Sequence, residues 1–150
     1  MPGASNVVLS GSYPLSVDEK GRLAIPARLR QQLAETFGTQ VYMTIGTKEC
    51  IEIYPAPKFR EIEQQIQDMD DREAAEHLKM LFIGRAVDAE IDKQGRVTLP
   101  PFLRSESQID GKVYLVGMGS RLDVWSEAGY HAEVEQLKPT LKSALAQIRR

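Results

Sequence analysis

The sequence predicts a mainly β fold with helices (α+β): one pseudo-twofold barrel of two tandem repeats, with helical segments packed outside it. Three observations carry this. Asp18-Glu-Lys-Gly21-Arg22-Leu-Ala-Ile-Pro26-Ala-Arg-Leu-Arg30 lies over Asp92-Lys-Gln-Gly95-Arg96-Val-Thr-Leu-Pro100-Pro-Phe-Leu-Arg104 at an offset of 74. Downstream, Val41–Met43 matches Val113–Leu115 at offset 72, and Ile51–Tyr54 matches Leu122–Trp125 at offset 71. Self-similarity at a nearly fixed period means each half holds the same elements in the same order. Finally, a half of about 50 residues before its helices is too small to bury a core alone. Two halves interleaving their strands into one barrel would bury one and remove exposed edges.

Each repeat reads as two hairpins joined by a helical piece. Leu15 and Val17 alternate before the DEKG turn, and Leu23 and Ile25 after it, the period of a half-buried strand. Ala89/Ile91 and Val97/Leu99 repeat the pattern around Asp92–Gly95. Asp first and Gly fourth suit a type I turn closed by a residue with positive φ. Pro26 fits the first turn of a helix, where its missing N–H costs nothing. Leu29, Leu33 and Phe37 give that helix an apolar stripe, and Gly38 can end it. In the second copy Pro100-Pro101, Ser105, Ser107 and Gly111 leave room for one or two turns. Val41–Ile45 with Ile51–Tyr54, and Val113–Val116 with Leu122–Trp125, form the second hairpins.

Helices follow. Pro57 opens one whose Phe59, Ile62, Ile66 and Met69 share a face; Asp68, Asp70 and Asp71 interrupt it, and Ala74 to Leu81 continues. Tyr130, Val134 and Leu137 begin another, which Pro139 breaks before Leu141, Leu145 and Ile148 resume the stripe. Such faces pack on the sheets or on another subunit. The expected division is an N-terminal extension over 1–10, disordered, then a first repeat with its helices over 11–80 and a second with a C-terminal helix over 81–150.

Composition bounds the function. The 150 residues carry net charge −2 and one cysteine, Cys50. A lone cysteine leaves no intramolecular disulfide and no Cys-based zinc site, and fits a reducing cytoplasm. No run reaches the roughly 18 apolar residues of a membrane helix, and the amino-terminal stretch lacks the basic segment of a secretory signal. An acidic total is unusual for a nucleic-acid binder, but charge is sorted by segment. Residues 1–30 carry Lys20, Arg22, Arg28 and Arg30 against Asp18 and Glu19, a net +2. Residues 83–104 are net +1, and residues 58–80 net −3.

The pairs Asp18/Arg22 and Asp92/Arg96 are the sharpest chemical features, since side chains at the ends of a tight turn can meet across it. One reading is a solvated ion pair that stiffens the turn, worth about 0–1 kcal/mol. The other is that Lys20, Arg22 and Arg30, with Lys93, Arg96 and Arg104, line one face. Each Asp then holds its Arg for bidentate contact with phosphate or guanine, and Gly21 and Gly95 shape the turns. Enzymatic readings are weak. An Arg beside each Asp depresses both carboxyls instead of splitting them as acid–base work needs. His77 near Glu73 and His131 near Glu133 and Glu135 read as solvated helix faces, Cys50 reads as a core or edge thiol, and no phosphate-binding glycine loop occurs. No catalytic residue, metal site or cofactor is expected.

The segments GSYPLSVDEKGRLAIPARLR and AVDAEIDKQGRVTLPPFLR, followed by VYLVGMGSRLDVWS, closely resemble the MraZ family of bacterial transcriptional regulators, whose signature is the tandem DxxxR motif within D-x-x-G-R-x-x-[IL]-P. The resemblance covers residues 11–135, and each half is more distantly similar to the swapped-hairpin domain of AbrB-type regulators. It implies a double-split β-barrel with helices outside, assembled into a homo-oligomeric ring of many subunits. It implies sequence-specific binding of double-stranded DNA at short direct repeats upstream of the protein's own operon, the division and cell-wall cluster, in the cytoplasm at the nucleoid. By the same resemblance Arg22, Arg30, Arg96 and Arg104 reach DNA. A ring facing several repeats gains by effective concentration, roughly 10²–10⁴-fold, so an acidic protomer can still bind. The alternative is a ring-forming protein-interaction module whose DxxxR turns are structural.

Overall fold

The computed structural model describes residues 8–150. The first repeat contributes β1 (Ser12–Ser16), β2 (Arg22–Ala24), α1 (Ala27–Thr36), β3 (Gln40–Ile45), β4 (Ile51–Pro55), α2 (Ala56–Gln67) and α3 (Arg72–Leu78). A π-helical turn, Lys79–Ile83, leads into the second, with β5 (Val87–Glu90), β6 (Arg96–Thr98), α4 (Pro101–Glu106), β7 (Lys112–Gly117), β8 (Leu122–Ser126), α5 (Glu127–Leu137) and α6 (Leu141–Leu145).

Local chemistry sets the boundaries. Pro26 and Pro100 stand as N-caps of α1 and α4, with extended ψ of 142° and 144°. Gly38, with φ +84°, turns the chain out of α1. Asp71 caps α3 by accepting from the Ala74 N–H at 3.0 Å, and Ser126 caps α5 by accepting from the Gly129 N–H at 3.0 Å. Pro139 sits in a short 3-10 turn, Lys138–Thr140, that separates α5 from α6.

Six strands form one antiparallel sheet in the order β1-β7-β8-β4-β3-β5, and β2 pairs β6 in a separate two-stranded ribbon. The second hairpin of each repeat, β3–β4 and β7–β8, is local as expected. The first is not. Val17 and Leu23 share one isolated bridge, while β1 runs along β7 over five register pairs, Ser12↔Val116 to Ser16↔Lys112. By the same exchange β5 pairs β3, and β2 pairs β6. The reason is edge satisfaction: a local β1–β2 hairpin would leave the outer edges of β3 and β7 open, whereas the exchange pairs both. The result is a split barrel in which the ribbon closes over the larger sheet.

One core fills the space between them. Leu23, Ile25, Val97 and Leu99 from the ribbon side join Val41, Met43, Ile51, Val113, Leu115 and Val124 from the sheet in a single buried cluster, with Leu29, Leu33 and Leu103 from α1 and α4. The sheet's other face carries α2 and α5, held by matching aromatic stacks: Tyr42 on Phe59 at 4.7 Å and Tyr114 on Tyr130 at 4.0 Å.

Of the amino-terminal extension expected over 1–10, residues 1–7 lie outside the described residues. Leu9 corrects the expectation for the rest, because it is fully buried and exchanges both backbone hydrogen bonds with Gly119. Gly117 permits this close approach; a Cβ there would strike the backbone of Leu9 and Ser10. At the far end α6 buries nothing: Leu137, Leu141 and Ile148 are exposed, as are Leu78, Met80 and Leu81 around the π turn.

Candidate nucleic-acid interface

The ribbon pairs Arg22↔Thr98, Leu23↔Val97 and Ala24↔Arg96. Leu23 and Val97 are buried, so period-2 alternation puts Arg22, Ala24, Arg96 and Thr98 on the outer face. Arg22 and Arg96 are diagonal neighbours there, about 7–8 Å apart by the geometry of an antiparallel pair. The pseudo-twofold relation of the repeats thus brings both turn arginines onto one small outward surface.

Each turn organises its arginine in the same way. Asp18 Oδ1 accepts from the backbone N–H groups of Lys20 and Arg22, both at 2.9 Å, while its Oδ2 accepts from Arg22 Nε at 2.7 Å. Asp92 repeats this with the N–H groups of Gln94 and Arg96 at 2.9 Å and Arg96 Nε at 3.2 Å. Gly21 and Gly95 close the turns with φ of +81° and +80°, a region that favours glycine. The Arg22 N–H beside Asp18, and the Arg96 N–H beside Asp92, hold each carboxyl below its usual range against an opposing desolvation, helped by the guanidinium and by the N–H of Lys20 or Gln94. Because the Asp takes Nε, and among the described residues neither Nη of Arg22 or Arg96 has a protein partner, the outer edge of each guanidinium is left for an external acceptor.

The remaining expected residues divide. Lys20 and Lys93 are exposed at the turn tips, but they are not repeat equivalents: at offset 74 Lys20 matches Gln94, and Lys93 matches Glu19. Arg30 and Arg104 are half-buried and stand against the opposite repeat. Arg104 lies over Gly21, with Cζ, Nε and Nη2 all 2.9–3.0 Å from where a Cβ would be, and Arg30 lies over Gly95 in the same manner. Sequence spacing could not show this, because the contact is made between repeats.

Sequence reasoning also missed a buried polar centre on β4 and β8. Glu52 and Asp123 are buried opposite one another. Arg121 donates to both oxygens of Asp123, at 2.8 and 3.3 Å, and Tyr54 Oη donates to Glu52 at 2.7 Å. Cys50 completes the only group of three potential metal ligands among the described residues. Burial, then the nearby Asp123 and Glu52, push its thiol up, which disfavours the thiolate a metal needs. The hydrogen bond from Arg121 already serves the carboxylate, so the donor set fits an ion pair better than a metal ion.

A basic two-stranded ribbon raised on a strand-exchanged, duplicated split barrel defines the class: a β protein that presents paired arginines on a rigid outer face. The family model MraZ, described as MraZ protein, antitoxin-like, matches residues 8–81 and again residues 82–147. Proteins named Transcriptional regulator MraZ are similar over most of their length. That of Thiobacillus denitrificans is 37% identical over 136 residues, 90% of this chain and 92% of its own. That of Methylococcus capsulatus is 36% identical over 118 residues, 78% of each chain. That of Pseudomonas aeruginosa is 36% identical over 127 residues, 83% of this chain and 84% of its own. The chain belongs to the MraZ family, as its tandem DxxxR motifs led us to expect.

Proposed function

We propose that this protein is a transcriptional regulator that binds double-stranded DNA, with the β2–β6 ribbon as its reading surface. The observation that carries the proposal is the pair Arg22 and Arg96, side by side on an outer face with each Nε held by its own aspartate. The major groove admits a two-stranded ribbon, and a guanidinium with free Nη groups matches guanine O6/N7 or a phosphate bidentately. Lys20 and Lys93 at the turn tips supply flanking charge. In this reading the two repeats, 11–80 and 81–150, act as one unit. Among the described residues no helix is long and apolar enough to cross a membrane.

The exposed apolar stripes favour an assembled form. Leu78, Met80 and Leu81 follow β4 in the first repeat, and Leu137, Leu141 and Ile148 follow β8 in the second. One face meeting the other on the next copy is a heterologous contact, which closes into a ring when its rotation divides a full turn. A ring gathers many ribbons against successive short repeats and offsets the acidic protomer. The target that fits is a set of direct repeats upstream of the protein's own operon, the division and cell-wall cluster, with the protein in the cytoplasm at the nucleoid. The same stripes would also serve a ring-forming protein-interaction module with purely structural turns.

Anisotropy titration of the protein with its own upstream DNA at several salt concentrations separates the two. Preference for that DNA over scrambled sequence, lost in Arg22→Ala or Arg96→Ala, supports the regulator. Each removed phosphate contact should also flatten the slope of log K against log salt by about one. Both variants binding like wild type, or no binding at all, would leave the interaction module.

A further inference from the structure

We propose that Arg30 and Arg104 are positioning residues that act across the repeat boundary. Each clamps the glycine of the opposite DxxxR turn and so aims that turn's arginine, instead of touching DNA itself. The inference rests on the ribbon being the reading surface, and it assigns these two arginines a role different from that of Arg22 and Arg96.

The geometry begins at the glycines. Gly21 and Gly95 are buried, although Asp18, Glu19 and Lys20, like Asp92, Lys93 and Gln94, are exposed. What covers Gly21 is the guanidinium of Arg104, and what covers Gly95 is the side chain of Arg30. The same glycines are gripped from the strand side. Gly21 O accepts from the Leu99 N–H, and Gly95 O accepts from the Ile25 N–H, both at 2.8 Å. Each turn is thus held at its glycine by both the strand and the helix of the other repeat. Two features then fix the clamp. Leu29 and Leu103, the residues just before the two arginines, are buried and pin their helices. Arg104 Nε donates to Leu99 O at 3.0 Å, which orients its guanidinium plane.

The chemistry explains the residue type. A guanidinium is flat, weakly hydrated and always charged, so it can lie against a bare Cα, and an ammonium on a flexible stem cannot reproduce that contact. The turn's own bonds, Gly21 N–H to Asp18 O, Asp18 N–H to Arg22 O, and the Lys20 N–H, Arg22 N–H and Arg22 Nε to the Asp18 carboxylate, leave the Cα face of the glycine uncovered, and that is the face the guanidinium lies on. A clamp that is crossed between repeats also makes each reading turn depend on the integrity of the other half.

Amide hydrogen exchange on the free full-length protein, with the DNA titration above, tests this. Arg104→Ala should speed exchange at Gly21 and Arg22 by roughly tenfold, the scale of one lost hydrogen bond, and leave Gly95 and Arg96 unchanged. Arg30→Ala should do the reverse. DNA affinity should fall in both while the salt slope keeps its wild-type value, and Arg104→Lys, which retains charge and stem, should not restore affinity. Unchanged exchange at the opposite turn would overturn the proposal. A salt slope reduced by about one with recovery in the Lys variant would do the same, because it marks a phosphate contact. If wild type shows no DNA preference, the function proposed above fails, and the exchange measurements still decide whether the clamp exists.

Discussion

Glu52 and Asp123 face each other in register at the seam between β4 and β8, where the two repeats meet. Offset 71 relates these two residues, and the same offset relates Cys50 to Arg121. A symmetric protein would flank the carboxylates with two arginines or with none. Here a single guanidinium, bonded to Asp123 and 3.9 Å from Glu52, offsets both buried acids.

Removing that guanidinium leaves two like charges opposed in a sheet. Arg121→Met should therefore destabilise the fold by about 2–4 kcal/mol, somewhat below the ~3–5 kcal/mol of a fully buried pair, because the side chain is 30% exposed. Urea unfolding gives the number, and a shift under 1 kcal/mol would show that the acids are stabilised another way. Cys50→Arg in the same background, which moves the single guanidinium to the equivalent position of the other repeat, should not rescue folding for lack of space at a buried position.

The turns should resist acid. Their aspartates are held below the ordinary value of 3.8, first by the backbone N–H of Arg22 or Arg96. A lowered folded value means the stabilisation is present above about pH 3.8 and disappears as pH falls through the folded value. NMR titration of the Lys20 and Gln94 amides, which bond these carboxylates, should show no movement between pH 7 and about pH 5. A midpoint above 3.8 would contradict the hydrogen-bonded geometry.

Leu9 anchors the chain before β1. Leu9→Ala should cost about 2–5 kcal/mol, as for a buried leucine elsewhere, and Gly117→Ala should be comparably harmful, since its new methyl meets the Leu9–Ser10 backbone. Thermal melts of the two variants against wild type give the measurement, and a shift of less than a degree in both would show that the Leu9–Gly117 contact does not hold the chain.

Assembly can be read by complementation. Leu141→Glu with Ile148→Glu disables one stripe, and Met80→Glu with Leu81→Glu the other; all four positions are exposed, so the protomer should stay folded. Each double variant should be monomeric by light scattering. Mixed, they should form a one-to-one dimer through the one remaining pair of intact faces. A Met80/Leu81 variant that dimerises by itself would mean that the C-terminal stripes meet each other.

Much of this architecture was legible in the chain. The repeat, the two DxxxR turns with their glycines, and the hairpins β3–β4 and β7–β8 follow from local pattern, because turn chemistry and alternation are local. Partner choice was not legible. Alternation at Leu15 and Val17 says which face of β1 is buried but not that β1 lies on β7, about a hundred residues on in the chain. The Arg104–Gly21 contact and the placement of Glu52 beside Asp123 and Arg121 were hidden for the same reason. By resemblance Arg104 is a DNA contact and Arg121 has no assigned role; the exchange of strands brings the first of them against its glycine. The apolar stripe of α6 was visible, but its exposure was not, since periodicity marks a face without saying what covers it.

The exchanged strands also impose a schedule on synthesis. β1 leaves the ribosome first of the strands, yet its partner β7 is not complete until residue 117 has emerged. Through most of translation the nascent chain must hold an unzipped strand, and pairing this distant in sequence closes slowly. A chain stalled or cleaved within the second repeat would therefore not be half a regulator. It would be an unpaired ribbon edge and an open core, the kind of surface that chaperones bind and proteases remove.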